Sequence, residues 1–219
     1  MENNISLTDE LVPGGVSSFE KALAYSLGAD KSRECVDKLL RRYGSFATVS
    51  SANEDEICHV GGISKNAAML IKLIAYVNSR RVIDHFEFGV EHTELEIREY
   101  ITALFLGLSV ENVYVLLLDE KGRVISAEHV SEGTLTASDV VPRKILEFAN
   151  RKKSKRIILA HNHPKGTPSP SKDDMMTTGR LFTMLSSVGI HLHAHYIVAD
   201  GEIGRIEADM LYNPENQGQ

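Results

Sequence analysis

Side chains suited to gripping a divalent cation cluster in one short stretch, HNHPKGTPSPSKDD, running from His161 to Asp174. Residues two apart on an extended segment project to the same side, so His161 and His163 can aim both imidazoles at one point. The loop through Pro164, Gly166, Pro168 and Pro170 then returns the chain to a helix whose first turn carries Ser171 and Asp174, three apart and on one helix face. Asp174 can add a carboxylate oxygen to the two nitrogens, leaving a fourth tetrahedral position for water, the open arrangement expected of a catalytic zinc. The cation stabilises hydroxide, so such a water ionises near neutral pH. Ser171 with Asp174 is also an acceptable capping box, and both readings can hold at once.

Several elements must position this stretch. Ile157–Ala160 reads as a short buried strand that delivers the histidines, and a helix is expected from about Ser171 to Val188. Before them, Val113–Leu118 and Arg123–Val130 flank Asp119-Glu120-Lys121-Gly122 as a hairpin, with a helix over Glu94–Leu106 preceding it. Pro142 opens a further helix with Ile145, Leu146, Phe148 and Ala149 on its apolar face, ending in Arg151, Lys152 and Lys153. Two last strands flank Asp200-Gly201. The expected fold class is therefore α/β, a mixed sheet with helices against it over residues 94–219.

From Phe19 to Arg81 apolar residues recur at helical spacing: Leu23 and Leu27, then Val36, Leu39 and Leu40, then Ala67, Leu70, Ile71 and Ile74. This predicts a small all-helical domain over residues 1–88. Ser51 with Glu54 resembles a capping box, and Gly44, Gly61 and Gly62 mark tight turns.

Composition narrows the class. With 42% hydrophobic and 25% charged residues, the chain matches soluble globular proteins rather than fibrous or disordered ones. A net charge of -6 argues against a surface built throughout to hold phosphate. Cys35 and Cys58 are the only cysteines, too few for a disulfide framework and without metal or redox spacing, so a reducing cytoplasm fits best. The polar, acidic stretch Met1–Gly15 lacks a signal-peptide pattern, and no apolar run approaches the roughly 20 residues that span a bilayer.

The pattern His-x-His, seven residues, then Ser-x-x-Asp resembles that of the JAMM (MPN+) metalloproteases, and its setting resembles their bacterial RadC branch. The wider likeness takes in Glu111 opening a strand, Gly133-Thr134, Pro142-Arg143, the strand before the histidines and Pro170-Ser171 after them. It covers residues 94–198, and a weaker one reaches the helical N-terminus. The resemblance implies a JAMM/MPN-like, cytidine-deaminase-like fold and a zinc hydrolase cleaving amide or isopeptide bonds of a peptide or protein substrate. Zn2+ would be held by His161, His163 and Asp174, with Glu111 as general base and Ser171 stabilising the oxyanion. A metal hydroxide attacking an amide does need a proton shuttle and charge stabilisation. From the residues alone, Glu128 and Glu132 also lie near strand ends and compete with Glu111. His195 matches a family histidine, but Ala194 replaces the family aspartate before it, so a carboxylate supporting the ligands is missing there.

Other readings compete. An HNH nuclease spreads its motif over two strands and a helix, and a nucleobase deaminase needs His-x-Glu with Pro-Cys-x-x-Cys; neither fits. His191, His193 and His195 alternate and could face one way as a second metal site, although packed or exposed strand histidines are commoner. Val60–Ala67 resembles the hairpin of a helix-hairpin-helix module, which points N–H groups at phosphates. Its second glycine is Ser64, however, and residues 1–88 hold 10 Lys+Arg against 12 Asp+Glu. A DNA-associated repair or recombination module with an accessory metal domain is therefore the alternative function. The basic run from Arg151 to Arg156 could meet phosphates, but it equally suits a solvated helix end favoured by the helix dipole.

Overall fold

The computed structural model describes residues 21–206 apart from 22, 25–26, 45, 134–139 and 165. Met1–Gly15, Phe19 and Thr134 lie outside the described residues. The chain divides into two compact units, residues 1–81 and 82–219.

Helical periodicity produces α1 (Ala29–Tyr43), α2 (Phe46–Ser51) and α3 (Glu54–Gly61) in the first unit, and α4 (Lys65–His85), whose last turn belongs to the second. Leu23, Val36, Leu39, Val49, Ile57, Ala68 and Ile71 form its buried core with Cys35. Asn53, not Ser51, caps α3: its backbone is extended just before the helix, and its side-chain oxygen accepts the Asp55 N–H at 2.8 Å. Ser51 instead closes α2. Gly61 is needed for close approach as much as for turning, since a Cβ there would lie 3.0 Å from Cys35 Sγ. Gly62 adopts the left-handed backbone, φ 64°, that ends α3. Both cysteines are free, and burial pushes the Cys35 thiol up to about 11.

The second unit holds α5 (Glu94–Phe105), β1 (Asn112–Leu118), β2 (Val124–Glu132), α6 (Val140–Lys152), β3 (Arg156–Asn162), α7 (Lys172–Ser187), β4 (His191–Ala199) and β5 (Glu202–Ile206). Residues 82–93 belong to it, because Phe86 stacks on His92 at 4.0 Å and on Tyr100 of α5 at 4.1 Å. The five strands form one sheet in the order β2-β1-β3-β4-β5, with β3 and β4 parallel and every other pair antiparallel.

Both faces of the central strands are covered, which explains their unbroken apolar runs. Val113, Val115, Leu117, Ile157 and Leu159 pack with Val141, Ile145 and Ala149 of α6 and Leu181 and Leu185 of α7. Leu116, Leu118, Ile158, Ala160, Tyr196 and Val198 pack on the other face with Tyr100, Ile101 and Phe105 of α5. The alternation, carried to the end of β3, sends His161 to the α7 side and Asn162 to the α5 side. Among the described residues no single helix is long and apolar enough to cross a membrane.

Leu159 is wholly buried in the central strand two residues before His161. Leu159→Ala is expected to lower unfolding free energy by about 2–5 kcal/mol, read from denaturant titration.

Candidate metal centre

His161 is fully buried at the end of β3, and His163 follows it, its backbone N–H donating to Val198 O at 2.8 Å. The loop after His163 folds against β5. Gly204 makes room for it, because a Cβ at that position would collide with the Pro168 carbonyl. The chain then enters α7 through a complete capping box. Ser171 Oγ accepts the Asp174 N–H at 3.1 Å, while Asp174 Oδ2 accepts the Ser171 N–H at 2.8 Å and its hydroxyl proton at 2.6 Å.

These elements bring four side chains together. His161 Nε2 lies 3.0 Å from His163 Nε2 and 3.2 Å from Asp174 Oδ1, and His163 Nε2 lies 3.3 Å from Asp174 Oδ2. Glu111, immediately before β1, places Oε1 4.0 Å from His161 Nε2. Ligand atoms of all four lie within 4.8 Å of one another, a group that could hold a metal ion.

The donor set passes a direct chemical test. His163 Nδ1 faces the Thr167 carbonyl at 2.9 Å; a carbonyl only accepts, so the proton sits on Nδ1 and Nε2 offers its lone pair to the centre. Burial opposes ionisation of Asp174, but the His161 imidazole and the Ser171 hydroxyl and N–H beside it outweigh that and hold the carboxyl well below its usual range. A tetrahedral zinc with ligands about 2.0–2.2 Å away would set its donor atoms roughly 3.3–3.6 Å apart. The His161, His163 and Asp174 separations approach that spacing, while the longer reach from Glu111 to His161 sets its carboxylate apart.

Three residues that spacing alone did not single out support the centre. Asn162, the middle letter of His-Asn-His, accepts the Asn112 N–H at 2.7 Å and donates to Val110 O at 3.1 Å, so one buried amide clamps the backbone on both sides of Glu111. Gly133 N–H completes the clamp on Glu111 O at 2.7 Å. Thr178, one helical turn after Asp174, meets His195, which in turn meets His161. Sequence reasoning missed Thr178; the one signal for it is its place four residues beyond Asp174, on the same helix face.

The competing residues stay apart. Glu128 is engaged by Ser126 Oγ at 2.7 Å and Arg151 at 3.4 Å, and Glu132 is exposed. His191 and His193 sit exposed at the start of β4, whereas His195 is buried against His161, so the three do not converge. A register irregularity between Ile157 and Ile158 breaks their alternation. Burial, with the neighbouring His161, pushes the His195 imidazole well below its usual range. Ala194 lies in the core on the α5 face, turned from the site by the pleat; a carboxylate at that position would not support these ligands. The basic run closes α6 and opens β3 at the end opposite His161, with Arg151 stacked over Phe148 at 5.0 Å.

A sheet covered on both faces, whose strand end and following helix gather imidazoles and carboxylates around one point, defines a JAB-type α/β domain. The RadC-like JAB domain family matches residues 92–207. Over 175 residues, UPF0758 proteins of Vibrio vulnificus and Vibrio atlanticus are each 33% identical to the chain, and one of Aliivibrio salmonicida is 32% identical. Each of these alignments covers 78% of this chain and 76% of the relative. The chain belongs to the RadC-like JAB domain family.

Asn162→Leu keeps the side chain's bulk but leaves a buried N–H without its acceptor and a carbonyl without that donor. It is expected to cost about 1–3 kcal/mol of stability, measurable by chemical denaturation.

Proposed function

We propose that this chain is a zinc-dependent hydrolase that cleaves an amide or isopeptide bond in a peptide or protein substrate. The observation that carries the reading is the placement of two imidazole nitrogens and an ionised carboxylate within 3.3 Å of one another, with a second carboxylate 4.0 Å from His161. His161, His163 and Asp174 would hold the ion, which when bound supplies Lewis acidity and makes water a nucleophile at neutral pH.

Glu111 is held at the rim by the Gly133 N–H on its own carbonyl and by the Asn162 amide on the backbone of its two neighbours, and it is partly exposed, within reach of both the centre and incoming substrate. Its carboxylate accepts a proton from the attacking water and returns it to the leaving amine, without which the amine is a poor leaving group. Ser171 stabilises the developing oxyanion by turning its hydroxyl proton from Asp174 Oδ2 toward the substrate oxygen. Asp174 retains the Ser171 backbone N–H as that happens.

The DNA-associated alternative rests on the α3–α4 turn. There Lys65 is paired with Asp55 at 3.0 Å, which lowers the local positive charge on offer to a phosphate. Stoichiometric zinc in purified protein, without salt-sensitive retention on DNA, would support the hydrolase; tight DNA retention by a protein that takes up no zinc would reverse the ranking.

Two variants test the mechanism in a peptide-cleavage screen run with and without chelator. Glu111→Gln should keep zinc at wild-type stoichiometry and lose about 100- to 10,000-fold in rate. His163→Ala should lose the metal itself, read by elemental analysis. Full activity in Glu111→Gln would remove Glu111 from the base role.

A further inference from the structure

We infer that Thr178 and His195 form a hydrogen-bond relay that places the proton of His161 on Nδ1, so that Nε2 is the nitrogen offered to the metal. The inference deepens the zinc reading and rests on it, yet its structural core can be decided without any metal.

The direction follows from counting protons. The Thr178 hydroxyl has one, and at 2.5 Å from the Asp174 carbonyl, which can only accept, that proton is spent there. His195 Nδ1 lies 2.7 Å from the same oxygen and must therefore be the donor. His195 is 1% exposed, with no carboxylate among its hydrogen-bond partners, so its imidazole carries a single proton and leaves Nε2 bare. That bare nitrogen, 2.8 Å from His161 Nδ1, accepts a proton from it. His161 Nε2 then faces His163 Nε2 and Asp174 Oδ1, the one direction in which a cation fits.

The competing arrangement reverses every bond: Thr178 donates to His195, His195 donates from Nε2, and His161 keeps its proton on Nε2, where it blocks the metal position. The Asp174 carbonyl decides between them by claiming the Thr178 proton. Helix α7 thus contributes twice, through the Asp174 carboxylate and, one turn later, through a hydroxyl that selects the tautomer of another ligand. Metal-ligating histidines depend on such partners for ring orientation and basicity. Here the partner is a neutral imidazole rather than a carboxylate.

The test uses the full chain, labelled with nitrogen-15, and long-range proton–nitrogen correlation spectra of its histidines. In the wild type, with or without zinc, protons should appear on His195 Nδ1 and His161 Nδ1, and none on His195 Nε2. Thr178→Val keeps the shape but removes the acceptor; it should shift the His195 proton to Nε2 and raise the zinc dissociation constant roughly 10- to 100-fold, measured by competition with a chromogenic chelator. Thr178→Ser, which restores the hydroxyl, should behave as wild type on both readouts, an outcome that loss of packing alone would not give. A proton on His195 Nε2 in the wild type overturns the relay whether or not any variant folds, as does wild-type zinc affinity in a folded Thr178→Val protein. Failure of the wild type to bind zinc would instead sink the hydrolase reading, while the zinc-free spectrum still decides the relay.

Discussion

Two imidazole lone pairs and two carboxylates drawn into one pocket repel one another unless protons or a cation sit among them. In a buried site that repulsion is poorly screened, so the fold must hold the groups together by other means. The sheet supplies them. His161 is anchored by pairing of β3 with strands on both sides, Asp174 by the first turn of α7, and Glu111 by the Asn162 amide that staples the start of β1 to the end of β3.

Economy of groups runs through the site. Ser171 and Asp174 cap α7 through Oδ2 while Oδ1 faces His161, so the same carboxylate ends a helix and completes the centre. The N-terminal end of a helix also favours an ionised carboxylate, in line with the lowered pKa of Asp174. Neighbouring residues of β3 divide similar labour: His161 points to the α7 face as a candidate ligand, and Asn162 points to the α5 face as a clamp on the candidate base.

Local patterns were the most legible part. The strand before the histidines, the hairpin across Asp119–Gly122, the helix that Ser171 caps and the alternation of β1 all depend on near neighbours, and each stands within a residue or two of its expected place. Cap choice was less legible: Ser51 and Asn53 are both good caps, and where α2 ends decides between them. The three alternating histidines were misleading because period two holds only in an unbroken strand, and the irregular register beside Leu192 breaks it. The boundary after the helical region was also obscure. Phe86 lies in a stretch without periodicity, yet stacking on Tyr100 ties it to the second unit.

Residue types and spacing by themselves determined that His161, His163 and Asp174 could meet, because a strand end and a helix start close together in the chain impose that geometry. They also determined the α/β layering through alternating and helical apolar periods. What only the tertiary structure decided was everything carried by partners distant in sequence: Glu111 rather than Glu128 or Glu132 at the rim, Asn162 as its clamp, and His195 with Thr178 behind His161. These depend on strand order and on which face each pleat presents. Both arise from packing among segments tens of residues apart, where no local period survives to be read.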